Sequence, residues 1–600
     1  MKQIKPVSKD QGNHIIRSTF YACLIAFILD SLACAVGSLV DGIVIGQSLG
    51  VDSMAAFGLV SPLMIVFSLF GALISAGARN RFTRLVGGGE LERARGVFTL
   101  SVLLSVGLAA LLMLGILLFS RQIAMALGAT GNAAQLLEKT QAYLIGIAIG
   151  LPAINGMRIL NAYMTLDNHR SLQVIASVVL SVTDILLDLA VVYVWHGDTF
   201  EMGLATSISY YLTCLVLLTH FRRKQRLVAF RFRRLRWKEA GVIVWKGMPM
   251  AISRVSNAAR SIFMNHLLAG AGSAGCIAAY SVHRQADAFL NPVTIGMADT
   301  VAMMTGILMG EENRPMLKRL LKTSVRATFF ITLTVAAVFY LLAGVFAALF
   351  LKGDAEALRY GTRAAQLYAV GMPLYGINII YENYIQSVGK TRTATLLGFL
   401  REAGFLMLSA QLLLPLVGAD AAWVAFPVTQ LLVFAASSGI ICLIRKQEQL
   451  TGGDLWDRIA VLPNDFDVPE HDRMDQSITT MAQVAARSRQ VWQFCTEHGC
   501  DARRRYLLSL SVEEMAGNVI EHGFTKDRKQ HSVDVRILKK GEDYIIRIRD
   551  NCVIFDPLQR LQLYSPKDPA HHMGLRMIIG TAKDVQYTSV LKLNNLVLRV

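Results

Sequence analysis

Twelve stretches of this 600-residue chain are long and apolar enough to cross a bilayer, and no other feature narrows the possible folds so far. Hydrocarbon offers no water to backbone N–H and C=O groups, so a spanning segment must satisfy them internally. A helix of roughly 20 mainly apolar residues does this. The segments centre on residues 18–46, 53–78, 97–120, 138–160, 171–195 and 203–221, then on 241–269, 276–308, 323–351, 362–388, 394–416 and 421–444. They predict an all-α polytopic membrane domain over 1–450, with two six-helix lobes at about 15–221 and 240–445. The basic linker "HFRRKQRLVAFRFRRLRWKEA" divides them. Only 17% of the residues are charged and 53% are hydrophobic, where a soluble chain is about 25% charged.

The net charge of +17 is unevenly placed. From Thr451 onward there are 21 basic and 20 acidic residues, so nearly all the excess lies in the apolar part. That placement predicts loops against anionic lipid and argues against a nucleic-acid partner. Lys2, Lys5 and Lys9 mark the N-terminal tail, and Arg79, Arg81, Arg84, Arg93 and Arg95 the second loop. Arg314, Lys318 and Arg319 mark the eighth loop, Lys390 and Arg392 the tenth, and Arg445 and Lys446 follow the last helix. The intervening loops "GQSLGVDS", "HGDTFEMG" and "AGAGSAG" carry no Lys or Arg. Every second loop, and both termini, are therefore expected in the cytoplasm. The eight cysteines are scattered and predict neither a zinc site nor a disulfide framework. The polar, basic start, Met1 to Arg17, does not read as a cleavable signal peptide.

The two sets repeat weakly. "GMRILNAYMTLDNHRSLQVIASVVLSVTDILLD" in the first parallels "GINIIYENYIQSVGKTRTATLLGFLREAGFLML" in the second, as expected of a transporter with its path at a repeat interface. Ionisable residues inside the spans are the candidate functional groups. Asp41 lies in "LVDGIVIG", and Asp184 and Asp188 lie four apart in "SVTDILLDLAVV", sharing one helix face. Repulsion and burial both favour the bound proton or cation there. Thr206 in "GLATSIS" offers an oxygen to a small hard cation such as Na⁺. Asp30, Asp287, Asp299, Glu382 and Glu402 are further candidates, with Arg284 near Asp287 and Arg401 beside Glu402 as possible structural partners.

With these residues in view, positions 15–445 resemble the MATE (multidrug and toxic compound extrusion) family. "LVDGIVIGQSLG", "GARNRFTRLVGGGELERAR" and "SVTDILLDLAVVYV…MGLATSIS" carry the resemblance. It implies an antiporter in a prokaryotic plasma membrane that exports cationic or amphipathic small molecules in exchange for H⁺ or Na⁺. It also implies a cation site at Asp41, Asp188 and Thr206. Asp184 stands where the family usually has Asn, which adds a carboxylate.

After Gln449 the pattern changes to amphipathic segments, and "TGGD" reads as a joint. "MAQVAARSRQVWQFCTEHG" and "RRRYLLSLSVEEMAGNVIEHGF" predict helices, and "HSVDVRILKKGEDYIIRIRD" predicts a hairpin. A helix near 574–582 and strands "DVQYTSV" and "LKLNNLVLRV" complete a mixed sheet covered by helices on one face, an α+β sandwich over 451–600. This order is similar to the GHKL ATPase superfamily, in its anti-sigma-factor serine-kinase type. The resemblance implies Glu514 as the base activating the attacking group and Asn518 as the holder of Mg²⁺ on the phosphates of ATP. It implies Asp550 as acceptor of the adenine amine and Gly574 as the start of a helix facing phosphate. Cys552 and His572 stand where glycines are usual. A regulated exporter is the first reading. A membrane-bound sensor with a kinase or partner-switching tail, and a tail used only to dock a cytoplasmic regulatory protein, are the alternatives.

Overall fold

The computed structural model describes residues 16–29, 31–32, 50–127, 134–223, 226–271, 274–351, 355–451, 453–524, 531–554, 556–558 and 573–600. Each of the twelve predicted segments coincides with helix over its described residues, except at the segment ends Val194, Trp195 and Leu351. The first half holds α1 (Ile16–Leu29), α2 (Gly50–Gly87), α3 (Leu91–Ala126), α4 (Ala134–Met164), α5 (Arg170–Tyr193) and α6 (Thr199–Leu218). The second holds α7 (Lys238–Ala271), α8 (Ala274–Gly310), α9 (Arg314–Phe350), α10 (Ala355–Val388) and α13 (Ala421–Gln447). Between the last two, α11 (Thr391–Phe399) runs through a π-helical turn at Leu400–Gly404 into α12 (Phe405–Val417). Leu118, Leu186, Leu341, Leu416 and Leu443 are each more than half exposed on the outside of the bundle. In a chain of this hydropathy that surface is the one lipid covers.

The two halves meet through glycines. A Cβ on Gly77 of α2 would lie 1.9 Å from the Ile243 carbonyl oxygen of α7, and one on Gly247 would lie 2.1 Å from that of Leu73. Gly306 and Gly310 of α8 sit as tightly against Thr83 and the Arg84 carbonyl. Small residues allow this backbone approach, and polar side chains then bind across it. Glu239 at the start of α7 accepts from Arg81 Nε at 2.9 Å and from Arg93 Nη2 at 2.7 Å. Lys246 Nζ donates to Asn80 Oδ1 at 2.7 Å, and Arg79 pairs with Asp299. All these contacts lie toward the helix ends joined by the basic loops, so the space between the halves is shut on that side.

The C-terminal region builds one sheet from β1 (Arg473–Ile478), β2 (Val533–Lys540), β3 (Asp543–Asp550), β4 (Asp584–Val590) and β5 (Leu593–Arg599), in the order β1-β2-β3-β5-β4. Every pairing is antiparallel, so the expected mixed sheet is corrected: the strands join as hairpins or through helices that return the chain antiparallel. The short α14 (Leu455–Ala460) precedes it. Strand alternation splits the sheet's two faces. Val535, Ile537, Ile546, Ile548, Leu596 and Leu598 pack under α15 (Met481–Glu497), α16 (Ala502–Asn518) and α17 (Met573–Thr581). The opposite face presents Arg536, Arg547 and Arg549 to the helix bundle.

There the tail touches both halves. Arg549 pairs with Glu311, Lys540 with Glu312, and Arg536 Nη1 donates to Asn313 Oδ1 at 2.8 Å, all in the α8–α9 turn of the second half. The β4–β5 turn enters the α4–α5 loop of the first half. Leu591 and Lys592 hold φ of +59° and +61°, a conformation that usually calls for Asn-Gly. It is fixed from outside: Arg170 Nη2 donates to the Leu591 carbonyl at 3.0 Å, and Asn168 Nδ2 to Ser589 Oγ at 2.9 Å. Leu591 itself is 3% exposed and joins the apolar cluster of the bundle.

Gly77→Ala should destabilise the full-length protein by about 1–3 kcal/mol, because the added methyl meets backbone that cannot yield. Gly241→Ala on the same α7, where a Cβ meets nothing within 4 Å, should be neutral or slightly stabilising. Melting temperatures in detergent separate the two.

Candidate functional site

Asp41 and Asp30 lie outside the described residues. Asp184 and Asp188 occupy the buried stripe of α5 with Gln173, Ser177 and Leu180, one turn apart as their spacing requires. By helical rise they lie about 14 and 8 Å from the Tyr193 end of α5. Thr206 lies about 10 Å into α6, which packs antiparallel beside α5, so it stands at a similar depth. Thr206 is half-buried, and its hydroxyl donates to the Met202 carbonyl at 3.4 Å.

The second half carries a charge network whose extent the sequence did not reveal. Arg401 donates to Glu382 Oε2 through Nη2 at 3.0 Å and pairs with Glu402. Arg260 Nη1 reaches Glu402 Oε2 at 3.1 Å, and Asn257 Nδ2 donates to the same oxygen at 3.3 Å. Asp287 accepts from Tyr368 OH at 2.9 Å and lies 3.9 Å from Arg260. The sequence-adjacent partner expected for Asp287, Arg284, is instead exposed. Arg401 and Glu402, neighbours in sequence, are both buried and lie in the π turn, where an extra residue widens the helix locally. Asp299 is taken up by Arg79 across the halves.

In the tail, Glu514 and Asn518 fall one turn apart near the end of α16, both half-buried. Gly574 begins α17 directly against Glu514: a Cβ there would lie 2.4 Å from the carboxyl carbon. Asp550 ends β3, 5% exposed. Its Oδ1 accepts from the Cys552 amide at 2.9 Å and from Asn594 Nδ2 at 2.8 Å. Burial lifts the Asp550 pKa above the ordinary carboxylate value, and these hydrogen bonds pull it part of the way back. Asn594 was not anticipated; its signal would have been a polar residue in an otherwise apolar strand. Cys552 packs beside Gly523, with its Cβ 3.1 Å from where a Cβ on that glycine would stand. His572 lies outside the described residues. A buried carboxylate at the end of β3, a half-buried amide on α16 and an acid one turn from it are groups of the kind that ATP with Mg²⁺ would need.

Comparison with known proteins agrees with both parts. The MatE family model matches residues 26–190 and 249–402, and the histidine kinase-like ATPase domain matches 479–600. The multidrug export protein MepA of Staphylococcus saprophyticus is 23% identical over 351 residues, which are 58% of this chain and 76% of that protein. The Vibrio cholerae MATE transporter VcmN in its bent form superposes with a TM-score of 0.66 at 18% identity, covering 72% of this chain and 98% of that one. An outward-facing multidrug resistance MATE family transporter gives 0.67 at 20% identity, covering 74% and 96%.

Glu402→Gln should cost about 3–5 kcal/mol, since it leaves Arg401 and Arg260 buried beside a lost charge. Thermal unfolding of the purified full-length variant measures this.

Proposed function

Starting from a chain that belongs to the MatE family and is a multi-pass membrane protein, we propose an ion-coupled exporter of cationic or amphipathic small molecules, regulated by its own tail. The coupling ion, H⁺ or Na⁺, binds at Asp184 and Asp188, with Asp41 and Thr206 completing the set. The carrying observation is the pair of carboxylates on the buried stripe of α5. Burial is unfavourable for two adjacent anions and is relieved by a bound cation, so occupancy changes which arrangement of the halves is stable. The domains divide near residue 450, the tail lies in the cytoplasm, and both termini are on that side.

The regulatory reading is supported by a single tail contacting the α4–α5 loop of one half and the α8–α9 turn of the other. Alternating access requires those loops to move relative to each other. A tail fastened to both therefore holds the closed side closed. Asn518 would hold Mg²⁺ and Asp550 the adenine amine. ATP binding beside α17 then changes the set of the β4–β5 hairpin that follows it. ATP would supply a transferable phosphoryl group, and Glu514 is placed to orient an acceptor hydroxyl. The kinase alternative, with a partner protein as acceptor, draws on that same placement.

Asp184→Asn and Asp188→Asn should each lower ethidium efflux driven by an imposed H⁺ or Na⁺ gradient at least tenfold. Full ion-dependent efflux in both variants would remove the site. Asn518→Ala should weaken ATP–Mg²⁺ binding to the full-length protein at least tenfold by calorimetry, and Leu591→Asp should leave ATP binding in place while making efflux insensitive to ATP. Efflux that responds to ATP equally in the Leu591 variant would reject the docking route.

A further inference from the structure

The shut side of the bundle has a floor, and two arginines stand on it. Gly71 of α2 lies just past the Leu73–Gly247 crossing, away from the tail, and a Cβ there would be 3.5 Å from Arg158 Cδ. Arg254 of α7 lies seven residues beyond Gly247 on the same side of the crossing, about 10 Å along the helix. Arg254 is exposed in mid-helix, yet its charged and polar neighbours are Arg158, Glu402, Tyr375 and Asp299, from four different elements. Its exposed surface therefore faces the space between the halves, not lipid.

Among the described residues, neither arginine makes a hydrogen bond or ion pair, and Arg158 Nε is buried without a partner. The acids nearby are already engaged: Asp299 by Arg79, and Glu402 by Arg401 and Arg260. The internal repeat sharpens the contrast. Arg158 in "GMRIL" corresponds to Asn378 in "GINII" of the second half. Asn378 is satisfied, donating to Gln430 O at 3.0 Å and Oε1 at 3.2 Å. An unpaired cation within a membrane bundle is costly and marks a functional group by default. Two within electrostatic reach of each other, one from each half, repel until an anion joins them.

We propose that Arg158 and Arg254 form a substrate site for an oxyanion, the carboxylate, sulfonate or phosphate of an amphipathic molecule. This rests on reading the space between the halves as the transport path, and it adds amphipaths bearing an anionic group to the substrate class. Guanidinium groups bind such oxyanions through paired N–H donors. The bound anion cancels the Arg158–Arg254 repulsion and so favours the arrangement in which the two halves stand together. Coupling cations on α5 and an anion on this floor occupy separate places.

The test uses the full-length protein in zwitterionic proteoliposomes, with carboxyfluorescein as the anionic probe, ethidium as the cationic probe and fluorescently labelled phosphatidylglycerol as the lipid probe. Carboxyfluorescein should raise the melting temperature of the wild type, and Arg158→Gln or Arg254→Gln should abolish that rise. Each variant should also lower the ratio of carboxyfluorescein to ethidium transport at least tenfold, and Arg254→Lys, which keeps the charge but loses the paired donors, should restore it only in part. If labelled phosphatidylglycerol crosses the bilayer in an arginine-dependent way and carboxyfluorescein does not, the oxyanion is that of a lipid headgroup. Glutamine variants that bind and move carboxyfluorescein as the wild type does would overturn the site, as would a wild type that neither binds nor moves either anion. Arginine-dependent binding with no gradient-driven transport of any probe would instead reject ion-coupled export and leave the site standing.

Discussion

Backbone lies directly on backbone where the two halves of the bundle cross, and much else depends on that contact. Water cannot drive helices together in hydrocarbon, so their association rests on close packing and on polar groups that bind across it. Gly77 and Gly247 provide the approach, and Glu239, Lys246 and Arg79 provide the bonds. The same crossing shuts one side of the internal space, gives Arg158 and Arg254 a floor to stand on, and sets the relative position of the loops on which the tail rests.

Much of the fold was legible because bilayer thickness fixes helix length and sheet pairing fixes strand alternation. The twelve apolar runs, and the helix and hairpin assignments after residue 480, coincide with observed elements. Two elements escaped. The strand Arg473–Ile478 reads "RMDQSI", too polar to announce itself, because only half of it is covered. The helix Leu455–Ala460 is a six-residue turn held by the bundle through Tyr381 and Tyr384, which donate to its carbonyls. The mixed sheet was the wrong inference, since strand order and direction are decided by tertiary packing.

For the candidate sites, spacing alone placed Asp184 with Asp188 and Glu514 with Asn518, since four residues is one helical turn. It could not give partners distant in sequence. Asp287 has Arg284 three residues away, yet it lies by Arg260, because Arg284 faces outward. Arg401 and Glu402 are both buried at the π turn, where they meet Glu382 and Arg260 from other helices. Asn594 at Asp550, and the unpaired state of Arg158, likewise depend on which distant segments come to rest nearby.

The turn at Leu591 and Lys592 has a consequence for the life of the tail as a separate body. Neither residue favours positive φ, and the groups that hold them there belong to the helix bundle. Strand β4, which leads into this turn, is the edge strand of the sheet, with one row of backbone donors and acceptors unpaired by the sheet. A tail cleaved from its bundle would keep its core but lose the clamp on its last hairpin, leaving a loosened, pairing-competent sheet edge of the kind that seeds aggregation. Any release of the tail in the working protein is therefore expected to be a partial tilt about a retained contact, not a departure.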